Sequence, residues 1–199
     1  MKIKEAKKIT ESLTRTSKMP GLSYSLPAWA CQTGAKLRKI PSSPCFGCYA
    51  LKGNYTRYPA IKAAQYRRLD AIDNPLWVEA MATQIKRQKW FRWHDAGDLQ
   101  SLEHMYKIIE VAKLTPGTQH WLPTQERQYL PKPEDVPANL IIRLSAAKVN
   151  GTAGNAWSHS STVVTDGSAS CAAPDQGGKC LDCRACWDKS ISNVSYGKH

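Results

Sequence analysis

Hydrophobic positions along this chain recur at two different periods. Short apolar or aromatic runs at Tyr24-Ser25-Leu26, Trp90–His94, His120–Leu122, Leu140–Ser145 and Thr162–Thr165 read as strands, and the fourth is the clearest buried one. Between them the spacing becomes helical. Ile61, Ala64, Leu69 and Ile72 share one face after Pro59, and Trp77, Met81 and Ile85 stand four apart after Asn74-Pro75. Leu102, Met105, Tyr106, Ile109 and Ala112 form a stripe that follows Ser101, a natural N-cap, and stops at Thr115-Pro116-Gly117. About five strands separated by helices predict βαβ units and therefore an α/β fold. The expectation is one domain: a partial (β/α) barrel of mostly parallel strands over 23–166, with a cysteine-rich tail over 167–199 packed on it.

Parallel sheets carry their working residues beyond the carboxyl ends of the strands. Those ends hold Asp95, Gly97 and Asp98, then Thr124 with Gln125, then Arg143 with Ser145, and finally Asp166 leading to Cys171. Both cysteine groups are expected on this same rim. Asp95 and Asp98 have the spacing of a general acid–base pair or a hard-cation site, although Asp98 or Ser101 serves equally well as a helix cap. His94 alternates with Arg92 along its strand, and for it a satisfied core position is favoured over ligation.

The seven cysteines fall into two groups. With an odd count and spacings of two, metal ligation fits better than disulfides. The C-terminal group is Cys171, Cys180, Cys183 and Cys186, and its run of three resembles that of bacterial ferredoxins. Four thiolates suit a [4Fe-4S] cubane or a tetrahedral zinc; the cluster is favoured and zinc is kept as the alternative. The N-terminal group, Cys31, Cys45 and Cys48, has only three thiols. Three ligands leave one iron of a cubane open, unless His94, His104 or Asp95 supplies a fourth or the two groups share one site.

Charge adds a partner to this picture. The chain of 199 residues carries a net +12; up to Arg92 it holds eighteen Lys and Arg against five acidic residues, a net +13, and the remainder is at −1. A basic half attracts phosphate backbones, so nucleic acid or a nucleotide becomes the expected partner. Trp29, Trp93, Trp121 and Trp157 are candidates for base stacking, with core packing as the default for each. No long apolar run marks a membrane span or a signal peptide, which predicts a cytoplasmic protein with no membrane partner. Phosphate-binding loops, dinucleotide glycine fingerprints and serine-hydrolase motifs are absent from the sequence.

The order of these motifs carries a resemblance. Cys45-Phe46-Gly47-Cys48 after a first strand, with Gly97-Asp98 at a later strand end, resembles small radical S-adenosylmethionine enzymes. More specifically, Cys-x2-Cys-Tyr-Ala-x-Lys-Gly-x-Tyr, then His-Asp-Ala-Gly-Asp, then the Cys-x2-Cys-x2-Cys tail is similar to the phage gene product 88 family, from about Tyr24 to Asp188. The resemblance implies a [4Fe-4S] centre on Cys31, Cys45 and Cys48 whose open iron chelates S-adenosylmethionine for reductive cleavage. It further implies an auxiliary cluster on the C-terminal group, an electron donor, and action in the host cytoplasm. By position it assigns Asp95, Gly97 and Asp98 to the methionine amine, and Thr124, Arg143 and Ser145 to ribose or carboxylate contacts. Thirteen residues separate Cys31 from Cys45, where the usual motif has three. The other reading is a non-enzymatic nucleic-acid-binding protein stabilised by zinc or a redox-inert cluster.

Overall fold

The computed structural model describes residues 1–198. Seven strands form one sheet in sequential order: β1 (Thr14–Arg15), β2 (Leu22–Tyr24), β3 (Trp90–Trp93), β4 (Gln119–Thr124), β5 (Leu140–Ser145), β6 (Ser160–Val164) and β7 (Asn193–Gly197). Only β1 runs antiparallel to its neighbour; β2 to β7 are all parallel. Each crossover advances by one strand in the same direction, so the sheet is singly wound, and it stays open because β1 and β7 do not pair. The helices are α1 (Ile3–Thr10), α2 (Gln32–Leu37), α3 (Asn54–Arg57), α4 (Pro59–Ala71), α5 (Trp77–Ile85) and α6 (Leu102–Leu114).

Alternation along the strands builds two unlike faces. Phe91, Trp93, Leu122, Leu140 and Ile142 pack against Trp77, Met81, Ile85, Met105, Ile108 and Ile109 of α5 and α6, the main core. On the other face, Trp121 and Ile141 pack against Trp187 of the tail, with Trp90, Met19 and Tyr196 around them. The tail also returns to the sheet as β7. It is therefore woven into the sheet rather than laid on it.

Several elements differ from the sequence pattern. α4 buries Gln65, Arg68 and Ala71 and leaves Ile61 exposed, because the Arg68 guanidinium reaches back to the carbonyls of Ser12 (2.6 Å) and Ser25 (3.3 Å). β2 lies two residues earlier than expected, since the Leu26 amide leaves the ladder to bond the Ala96 carbonyl at 2.8 Å. β1 and β7 are too polar to stand out as strands, and α1, which packs on α5, lies in a segment dense in lysine. Ser101 caps α6 as expected, accepting from the His104 amide at 3.0 Å.

Candidate metal centre

The first thiol group assembles at the carboxyl ends of β2, β3 and β4. Cys31 follows β2 after the turn Ala28–Ala30, and the next two residues open α2. That opening is held from β4: the Glu126 carboxylate, fully buried, accepts from the Gln32 amide at 3.2 Å, the Thr33 amide at 2.8 Å and the Thr33 hydroxyl at 2.6 Å. Glu126 thus caps the short helix that positions Cys31, a role invisible in the sequence because it joins residues ninety-four apart. Cys48 packs with Leu51 and Tyr55 onto Ala28, Ala50 and Ala96, the last inside the His-Asp-Ala-Gly-Asp turn. Cys45 donates its amide to the Ser43 hydroxyl at 3.1 Å.

Gly34 marks the space between the sulfurs. A Cβ added there would lie 3.0 Å from Cys31 Cβ, 3.7 Å from Cys31 Sγ and 3.9 Å from Cys45 Sγ. Glycine inside a helix sacrifices about 0.5–1 kcal/mol relative to alanine, and here its missing side chain keeps the cradle between two thiols clear. Burial pushes the Cys31 thiol well above its ordinary range, and Asp98, Cys48, Cys45 and Glu126 push in the same direction; Cys45 rises to about 11, mainly through burial and then Cys48. The Cys31 and Cys45 thiols therefore resist ionisation until a cation joins them.

The rim residues are tied to each other. Asp95 accepts from the Ser25 hydroxyl at 2.8 Å and the Tyr55 hydroxyl at 2.9 Å, so both carboxylate oxygens are engaged. Asp98 accepts from Thr124 Oγ1 (2.6 Å) and the Leu99 amide (2.8 Å) on one oxygen and the Gln125 amide (2.8 Å) on the other; burial lifts its carboxyl to about 7. Gly97 has φ +79°, and a Cβ there would stand 2.6 Å from Leu26 Cβ, so the turn lies directly on the end of β2. Asp95, Gly97, Asp98 and Thr124 therefore come together beside the first thiols. Ser145 stands apart, sharing a hydrogen bond of 3.1 Å with Ser161.

His94 is a core residue, as the sequence reading favoured, though an unsatisfied one; Arg143 is placed differently from that reading. His94 adopts a left-handed backbone (φ 51°), which turns its ring toward Trp93 and His104 on the helix side, where neither ring nitrogen finds a partner among the described residues. Arg143 is fully buried and donates to the carbonyls of Ala185 (2.9 Å), Cys186 (3.0 Å), Asp188 (2.9 Å), Ile191 (3.0 Å) and Ser160 (3.3 Å). Its guanidinium is spent on locking the tail, which corrects its assignment as a cosubstrate contact.

The second thiol group lies across the inner sheet face, not on the rim. Cys180 donates its amide to the Lys18 carbonyl (2.8 Å), Cys171 donates to that of Ser195 (3.0 Å), and Cys186 Sγ is 3.2 Å from the Tyr196 hydroxyl. All four thiols line one pocket, walled otherwise by Ala173, Ala185, Trp187 and Val194. Burial raises Cys186 to about 11. Arg92, on β3, lies near Cys180 and Cys186; its guanidinium sits 4.6 Å over the Trp121 ring, its Nε is buried without a partner, and no carboxylate pairs with it among the described residues. Asp98 and Glu126 thus lie beside Cys31, with Arg38 near Cys45, whereas Arg92, Arg143 and Arg184 lie beside the second group. Among the described residues no three His, Cys, Asp or Glu side chains converge tightly enough to grip one ion; the thiols are gathered without being drawn to a point.

Fold and site together define an open, singly wound α/β protein equipped with two separate thiol groups. The chain belongs to the gene product 88 family of phage proteins, whose model matches residues 1–170. That stretch holds Cys31, Cys45, Cys48 and the rim, and stops one residue before Cys171. Neither a curated protein nor a solved structure matches the chain. No helix among the described residues is long and apolar enough to cross a membrane.

Proposed function

We propose that this chain is an iron–sulfur protein of the radical S-adenosylmethionine kind, with an open [4Fe-4S] centre on Cys31, Cys45 and Cys48 and a second centre fully ligated by Cys171, Cys180, Cys183 and Cys186. The observation that carries this reading is the first group: three partly buried thiols around a cradle kept clear by Gly34, at the strand ends of a parallel sheet, with the carboxylates of Asp98 and Glu126 leaving Cys31 short of positive charge. A cation–sulfide core answers that deficit with soft ligands. Bound there, the cluster would supply an open iron for S-adenosylmethionine and the electron that cleaves it to a 5′-deoxyadenosyl radical.

The chain's own part is positioning. Glu126 fixes the segment that follows Cys31, Asp98 ties the ends of β3 and β4 together through Thr124 and Gln125, and Tyr49 and Tyr55 hold the Asp95 turn through its carbonyl (2.5 Å) and carboxylate (2.9 Å). Arg143, Trp187 and Tyr196 hold the second group against the sheet. Arg92 and Arg143, together with Arg184, offset the negative charge that four thiolates bring to a bound centre.

The test is turnover of S-adenosylmethionine by protein reconstituted with iron and sulfide without oxygen, using dithionite as reductant. 5′-Deoxyadenosine should accumulate, and Cys48→Ser should abolish it while leaving iron on the C-terminal group. Iron-loaded protein that yields no 5′-deoxyadenosine sinks the cosubstrate reading.

A further inference from the structure

From Ser12 to Leu69 the chain has ten Lys and Arg and no acidic residue. Among the described residues, the only ion pair this stretch makes is Arg67 with Glu11. Lys36, Lys39, Lys52 and Arg57 are exposed cations without a carboxylate partner, and Arg38 lies 5.2 Å over the Trp29 ring. The same stretch exposes aromatics. Trp29 is 54% exposed, Phe46 50%, Tyr49 57% and Tyr58 49%. Tyr49 anchors its hydroxyl on the Asp95 carbonyl and its ring stands beside Tyr55, yet more than half of the residue stays exposed. These residues ride on elements that touch in series: the turn Ala28–Ala30 contacts α2 and the turn Tyr49–Leu51, which contacts α3, which contacts α4. The result is one basic lip, studded with aromatic rings, around Cys45 and Cys48.

Rings gathered on one exposed surface, unlike rings scattered singly, mark an interaction site. Positive charge selects a polyanion, and flat rings select flat partners that are free to stack. Duplex nucleic acid hides its base faces, whereas a single strand offers them. An interfacial amphipathic helix would carry its large apolar residues along one face; here the rings stand on loops and short turns instead. We propose that this lip binds single-stranded nucleic acid, with unpaired bases on Trp29, Phe46, Tyr49 and Tyr58 and phosphates on Lys36, Arg38, Lys39, Lys52 and Arg57. That the strand is the substrate presented to the first thiol group rests on the reading above; the binding itself does not.

The experiment is fluorescence anisotropy of labelled oligothymidylate and oligouridylate of about 15 nucleotides, with a duplex of equal length and anionic vesicles as comparators, on full-length protein whose iron content is measured in the same samples. Single strands should bind tightest. Affinity should fall steeply with salt, and Phe46→Ala and Tyr58→Ala should each weaken binding about five- to a hundred-fold with unchanged circular dichroism. Lys52→Gln should flatten the salt slope by about 0.7. The DNA and RNA arms decide which strand is preferred. Equal or tighter binding to duplex, binding to vesicles alone, or indifference to the aromatic substitutions overturns the proposal. Strand binding by metal-free protein would leave this inference standing without the cluster reading; iron-loaded protein that binds no strand would do the reverse.

Discussion

At the scale of single residues, geometry separates side chains that hold the fold from those that keep a site open. Gly34 separates the two most cleanly. Alanine there would favour α2 by up to about 1 kcal/mol, yet its Cβ would press on Cys31 and narrow the cradle. Gly34→Ala should therefore melt at the same or a higher temperature without metal while retaining less iron per chain; equal iron loading would contradict the role given to Gly34. His120 makes a different prediction. Burial lowers it from 6.5 to about 3, and Thr115 holds its Nε2 at 2.8 Å. Because the folded state binds that proton more weakly than the unfolded chain, its contribution is intact above about 6.5 and is lost as the pH falls toward about 3, on the order of 1.4 kcal/mol per unit. His120→Gln should flatten the acid side of the stability profile in urea titrations, and a parallel profile would refute this.

At the scale of elements, the long excursion from β6 to β7 is secured chiefly by Arg143. Replacing it with methionine leaves buried carbonyls of the tail unpaired, so Arg143→Met should cost about 3–5 kcal/mol and speed alkylation of Cys186; unchanged alkylation would show that another contact holds the tail. The sequence made much of this architecture legible. Leu140–Ser145 and the Trp77, Met81, Ile85 stripe stood out because a buried face imposes a plain period. The polar edge elements did not, since pairing in β1 and β7 depends on neighbours remote in sequence. Cysteine spacing announced two groups, but not their separation. That depends on Trp187 docking under Trp121 and on Cys180 bonding Lys18, contacts without any local pattern. Glu126 escaped notice for the same reason, and Arg143 drew attention by its strand-end position while its side chain turned inward to the tail.

At the scale of the whole molecule, the chain is a singly wound sheet with a thiol site at its rim and another on its inner face, bordered by a basic aromatic lip. Asp98 and Glu126 attend Cys31, and Arg92, Arg143 and Arg184 attend the second group. The second group lines a pocket of its own that none of the first three thiols enters, so two centres are proposed rather than one shared. The most direct test is iron and acid-labile sulfide content with a visible spectrum on protein purified without oxygen. The account predicts about eight irons and eight sulfides per chain, four for each cubane, falling to about half in Cys48→Ser. Protein that carries neither iron nor sulfide, and binds none when both are supplied with reductant, would contradict it.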